Sequence, residues 1–191
     1  LVPSHPYTED LMGLPVINIR YVPLTNPVNS ILKRTMDILG ACFGIVIASP
    51  VMLVCAILVK ATSEGPVIFK QERVGLHNKV FRMYKFRTME VQKQSAEENA
   101  WTVKNDPRVT KVGKFMRKTS LDELPQLFNI LKGDMTIVGP RPERPSIAAE
   151  YEKVMPEFRL RLQAKAGLTG YAQVYGCLLY TSPSPRDTER S

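Results

Sequence analysis

From Ile38 to Val59 the chain runs for 22 residues without a charge, as ILGACFGIVIASPVMLVCAILV. A run of that length is a candidate for a membrane helix. Ser49-Pro50 lies at its centre. Proline lacks an amide hydrogen and collides with the preceding turn, which predicts a helix–break–helix rather than one straight helix. Each half would rise about 16 Å, half the depth of a hydrocarbon core. Lys33 and Arg34 precede the run and Lys60 follows it. Positive flanks favour the cytoplasmic face at both ends. A re-entrant segment meets that condition twice. A Pro-kinked spanning helix, which membranes tolerate, meets it once.

The remaining pattern is that of a small mixed domain. Pro66–Phe69 and Val80–Phe86 read as strands, with a turn at Gly75-Leu76-His77-Asn78, and together predict a basic β-hairpin. Val112, Phe115 and Met116 share a helical face among Lys111, Lys114, Arg117 and Lys118. That is the pattern of a short amphipathic helix on a membrane surface, and equally of a solvated helix with its apolar edge in a core. Leu124, Leu127, Phe128 and Leu131 form a second stripe, closed by Lys132-Gly133. Three prolines between Gly139 and Pro145 predict a stiff basic loop. Glu150 to Lys165 reads as one or two charged helices and Gly167–Gly170 as a turn. Residues 1–30 carry five prolines and predict a loop or the end of something else. The fold class expected is α+β, mostly helical, with amphipathic surface helices around the hairpin.

Composition narrows the chemistry. Lys plus Arg is 26 and Asp plus Glu 18, a net charge of +8 over 191 residues. Three cysteines offer neither a disulfide framework nor metal-ligand spacing. His5 and His77 are too far apart in sequence to suggest a His-rich metal site. The basic excess asks for an anionic partner. Residues 60–120 hold 14 Lys and Arg against 6 Asp and Glu. The excess therefore sits directly after the apolar run, where lipid headgroups or phosphorylated substrates would meet it. That neighbourhood argues against nucleic acid as the partner.

The most informative stretch is Ser120-Leu121-Asp122-Glu123-Leu124-Pro125. Ser120 and Glu123 have capping-box spacing. Pro125 prefers the first helical position, so the helix starts at Ser120 or only at Leu124. In both cases Asp122 and Glu123 fall at or near its N-terminus, and complementing the helix dipole would account for them alone. Their neighbours suggest more: Arg117 and Lys118 precede them, and Arg141 and Arg144 follow in the proline loop. A carboxylate among phosphate-binding arginines fits phosphoryl transfer. Adjacent carboxylates repel, so a hard cation such as Mg²⁺ would suit one of them.

These stretches together resemble the bacterial sugar transferase family, the monotopic polyprenyl-phosphate phosphoglycosyl transferases. The resemblance rests on Lys33-Arg34-Thr35-Met36-Asp37, Ser49-Pro50, Gly65–Gly75, Tyr84–Met89, Thr119–Leu127, Leu131–Met135, Val138–Glu143 and Gly167–Val174. It covers Ile31 to Gly176 in order. It implies transfer of a sugar-1-phosphate from a UDP-sugar to polyprenyl phosphate, with release of UMP, at the start of exopolysaccharide, capsule or glycan repeat units. Asp122 matches the nucleophile that forms a phosphosugar intermediate, and Glu123 matches its partner, implicated in Mg²⁺ binding. Lys85, Arg117 and Arg141 match phosphate-holding residues. Ser49-Pro50 matches a re-entrant break, which places the protein on the bacterial cytoplasmic membrane with its catalytic domain on the cytoplasmic face.

The resemblance also implies an organisation. Residues 1–30 look like the remnant of a preceding domain in longer, polytopic members. Residues 31–60 are the membrane segment and 61–176 the catalytic domain, shortened at its C-terminal end. Cys177–Asp187 resembles a translated sequencing adapter, so 177–191 is expected to lie outside the natural protein. The alternative function is a non-catalytic protein that binds a membrane surface. It leaves Asp122-Glu123 beside the Pro-Arg-Pro loop unexplained.

Overall fold

The computed structural model describes residues 7–11, 14–18, 26–90 and 107–170. Residues 91–106 and 171–191, with the adapter-like tail from Cys177, lie outside these. The chain divides into two units, Leu1–Met36 and Asp37–Ser191. In the first, β1 (Tyr7–Leu11) and β2 (Leu14–Asn18) pair antiparallel, Tyr7 opposite Asn18 and Leu11 opposite Leu14. The loop predicted from the prolines is thus partly a hairpin. Pro15 is accommodated within β2 of a two-stranded sheet, where a strand needs donors on one side only.

One helix, α1, runs from Pro27 to Thr62. The expected break at Ser49-Pro50 does not interrupt the helix: helical conformation continues through both residues. Pro50 has no amide hydrogen for the carbonyl of Val46, four residues back. The Ser49 hydroxyl donates to that carbonyl instead, at 2.8 Å. The acceptor is satisfied by a serine bonding back to its own helix, an arrangement that bends a helix without ending it. The helix is long and apolar enough to cross a membrane, and little of it is buried.

In the second unit one stripe of α1 packs inward. Ala41 and Ile45 join Met83, Leu127, Ile130 and Met135 in one cluster. Met52, Cys55 and Val59 join Phe86 and Met116 in another. The opposite stripe, including Leu39, Phe43, Val46, Leu53, Val54 and Ile57, is exposed. Near its start α1 is tied down by Asp37, which is buried. The Thr136 hydroxyl donates to its Oδ2 at 2.7 Å and the Ile137 N–H to its Oδ1 at 3.0 Å.

The predicted hairpin is present and longer than expected on its first side. Strands β3 (Ile68–Val74) and β4 (Val80–Phe86) pair antiparallel in register, Ile68 opposite Phe86. The turn at Leu76–Asn78 holds His77 and Asn78 in the left-handed region. Helix α2 (Lys111–Thr119) starts at Thr110, whose hydroxyl accepts the Gly113 N–H at 2.9 Å. Val112 and Met116 face the core while Phe115 is exposed, so the predicted apolar face is split. Gly113 lets α2 approach β4's exit closely: a Cβ there would stand 2.1 Å from the Thr88 carbonyl oxygen.

Helix α3 (Gln126–Lys132) ends at Gly133 as predicted. Leu127 and Ile130 fill the core, whereas Phe128 of the predicted stripe is exposed. Strand β5 (Thr136–Val138) leads into the proline loop, followed by α4 (Pro145–Val154) and a 3₁₀ segment at Pro156–Gln163. Gly167–Thr169, predicted as a turn, is strand β6, parallel to β5. The observed architecture is α+β and mostly helical, with three two-stranded sheets among the described residues.

Candidate active site

Asp122 and Glu123 occupy the corner between α2 and α3. Helix α2 stops because Ser120 turns left-handed, φ 60°, with its N–H directed back to the Arg117 and Met116 carbonyls. A 3₁₀ turn, Leu121–Glu123, follows, and α3 begins only after Pro125. The expected capping box is corrected. Ser120 serves as the C-cap of α2 and its side chain caps nothing ahead of it. The Glu123 N–H donates to the Ser120 carbonyl at 3.2 Å. The acids are thus placed by a turn before the helix rather than by the helix itself.

Two further elements converge on this corner. Strand β4 presents Lys85, whose Nζ stands 3.1 Å from Glu123 Oε1. The loop after β5 presents Arg141, whose Nη2 stands 3.7 Å from the same oxygen. Asp122 is 5% exposed. The structure therefore brings together Asp122, Glu123, Lys85 and Arg141, residues 85 to 141 in sequence. Arg117, in the last turn of α2, donates from Nε to Thr88 Oγ1 at 2.9 Å. Ser49 and Pro50 lie within α1.

Burial lowers the Lys85 ammonium from its ordinary 10.5 to about 8. Glu123 and Asp122 pull it upward, and Arg141 and Arg73 push it further down. Neutral pH thus leaves Lys85 charged but close to losing its proton. A buried cation perturbed by desolvation and a specific carboxylate partner marks a candidate functional site.

Sequence patterns assigned no role to Arg73, Glu143 or Arg161. Arg73 lies 3.8 Å from Glu143 and donates from Nη1 to the Pro142 carbonyl at 3.0 Å. Burial lowers Arg73 to about 10 and raises Glu143 above the usual carboxylate range, each opposed by the other's charge. Arg161 donates from Nη2 to the Arg141 carbonyl. The only signal for these was inclusion of Arg73 and Glu143 in the quoted motifs; Arg161 carried none.

Among the described residues no group of three or more His, Cys, Asp and Glu could hold a metal. A carboxylate pair is nonetheless a fitting donor set for Mg²⁺, which takes one or two carboxylates and completes its shell with water and substrate phosphates.

Lysine and arginine around a carboxylate pair are groups suited to phosphate oxygens. A model of the bacterial sugar transferase family matches residues 28–186. The chain belongs to that family. A Klebsiella pneumoniae protein named UDP-glucose:undecaprenyl-phosphate glucose-1-phosphate transferase is 46% identical over 169 residues, covering 88% of this chain and 36% of that protein. An Aeromonas hydrophila protein named UDP-N-acetylgalactosamine-undecaprenyl-phosphate N-acetylgalactosaminephosphotransferase is 45% identical over 153 residues, 79% of this chain and 36% of its own length. The exopolysaccharide production protein PSS of Rhizobium leguminosarum bv. phaseoli is 42% identical over 149 residues, 76% of this chain and 74% of that protein. The chain thus spans about a third of the first two relatives.

Proposed function

We propose that the protein transfers a sugar-1-phosphate from a UDP-sugar to polyprenyl phosphate, at the start of polysaccharide assembly. The observation that carries this reading is the buried Asp122 beside Glu123, whose Oε1 is faced by both Lys85 and Arg141. In the first step an Asp122 carboxylate oxygen attacks the β-phosphorus of the UDP-sugar. The bond from that phosphorus to the bridging oxygen breaks, and UMP leaves with the electron pair. In the second step an oxygen of polyprenyl phosphate attacks the same phosphorus. The aspartyl bond breaks, giving the polyprenyl diphosphosugar and the free carboxylate. The two-step route divides one difficult displacement into two.

Lys85 and Arg141 would hold the phosphate oxygens and offset the charge that spreads over them. Arg117 would extend that basic surface. Glu123 would hold Mg²⁺, whose chemistry is Lewis-acid neutralisation of phosphoryl charge. The non-catalytic reading leaves the buried carboxylate unexplained.

The membrane arrangement supports a lipid acceptor. Both halves of α1, Ala41–Ile45 and Met52–Val59, pack on the same polar domain. That domain cannot accompany a helix across about 30 Å of hydrocarbon. We therefore read α1 as re-entrant, bent at Pro50 without losing its helical conformation, its exposed stripe in the lipid and both ends on the cytoplasmic face of a bacterial membrane.

The test is UMP release by full-length protein in membranes, with a UDP-sugar, polyprenyl phosphate and Mg²⁺ supplied. Asp122→Asn is expected to lower the rate about a thousandfold or more. Undiminished turnover in that variant would remove the nucleophile.

A further inference from the structure

The loop that carries Arg141 is tied down carbonyl by carbonyl. Pro140 O accepts from the Gly167 N–H at 2.8 Å, and Glu143 O accepts from the Val74 N–H at 2.9 Å. Pro142 O accepts from Arg73 Nη1 at 3.0 Å, and Arg141 O from Arg161 Nη2. Four consecutive carbonyls thus meet four donors, from β6, β3 and the 3₁₀ segment at Pro156–Gln163. At the loop's start the Gly139 N–H donates to Thr169 O at 2.9 Å. A loop of this sort can lose its bend at any one carbonyl, because its prolines contribute no N–H groups of their own.

Of the four tethers, the one from Arg161 falls on the residue that faces the carboxylates. Its guanidinium lies 4.6 Å from the centre of the Phe158 ring, and Phe158 is fixed in a core cluster with Val74 and Ala148. The Phe158 ring in turn meets Tyr151 at 5.1 Å. Arg161 is thus held between a buried ring and the Arg141 carbonyl, 20 residues away in sequence. A planar guanidinium is suited to stacking and donating at once.

We infer that Arg161 is a positioning residue for Arg141: it fixes the backbone from which the Arg141 guanidinium reaches Glu123 and the phosphates of the donor. The inference rests on the phosphoryl-transfer reading above. Its cause is preorganisation, since a phosphate-binding group displaced by about 1 Å costs up to a hundredfold in rate. Arg161 itself is assigned no contact with substrate.

A double-mutant cycle in full-length protein tests this, read both as kcat/KM for UMP release and as the dissociation constant for UDP. Arg161→Met removes the donor and is expected to lower kcat/KM and weaken UDP binding, each about tenfold or more. Arg161→Lys keeps a donor on a long stem and is expected to lose less. In an Arg141→Ala background, Arg161→Met is expected to add less than twofold on either measure. Losses that multiply in the double variant would overturn the inference, and so would Arg161→Met matching wild type. If Arg161→Met does not fold, the same cycle is read with Arg161→Lys. UDP binding without UMP release in wild type would defeat the transfer reading alone, leaving the cycle readable on the dissociation constants.

Discussion

Lys85 carries the clearest consequence at the scale of single residues. Its ammonium titrates near 8 in the folded protein against 10.5 ordinarily. As pH rises through 8 the site loses a positive charge, so donor binding should weaken. With the protonated form required, KM for the UDP-sugar rises about fivefold between pH 8 and 9. Lys85→Arg, which stays charged throughout, is expected to flatten this limb, although its different geometry lowers activity overall. The stability effect has the opposite sign. Between about 8 and 10.5 the unfolded chain holds a proton that the native site does not, so this group adds stability as pH rises across that window. A pH series of steady-state rates and of thermal unfolding reads both. Asp122, Glu123 and Arg141 stood out in the sequence as carboxylates and an arginine in short local stretches, and Lys85 through the family resemblance alone. Arg161 did not, because its role is a bond to a carbonyl 20 residues away, and no spacing encodes that.

Among the elements, β4 owes its place to a side chain. Asn129 on α3 is fully buried. Its Nδ2 donates to Arg82 O at 2.8 Å, and its Oδ1 accepts the Tyr84 N–H at 2.9 Å. The amide stands where a further strand would pair, and it fixes the register from which Lys85 projects. Asn129→Leu would leave both backbone groups buried and unpaired. It is expected to cost about 1–3 kcal/mol, seen as a lower midpoint of thermal unfolding. An unchanged midpoint would show that β4 holds itself. Helix α2 and the β3–β4 hairpin were readable from periodicity and turn residues. Strands β5 and β6 were not: each has three residues, and they pair in parallel across some thirty positions. Pro50 does not end the helix, since the Ser49 hydroxyl supplies the donor that proline lacks.

At the scale of the whole molecule, the basic charge between residues 60 and 120 lies directly after α1, where lipid-linked and nucleotide phosphates would converge on one corner. The re-entrant reading makes a topological prediction. Single cysteines at Asn29 and Glu64, in a cysteine-free background, should both react with an impermeant reagent in inside-out vesicles and in neither case from outside. Labelling from opposite sides would show that α1 spans the membrane. The central claim is that Asp122 becomes bonded to the sugar phosphate. Its most direct test is intact-protein mass measurement after incubating full-length protein with a UDP-sugar and Mg²⁺ but no polyprenyl phosphate. The account predicts a mass increase of one sugar phosphate, mapped to Asp122, matched by one equivalent of UMP and discharged when the lipid phosphate is added. Lipid-dependent UMP release from protein that never carries the added mass would contradict it.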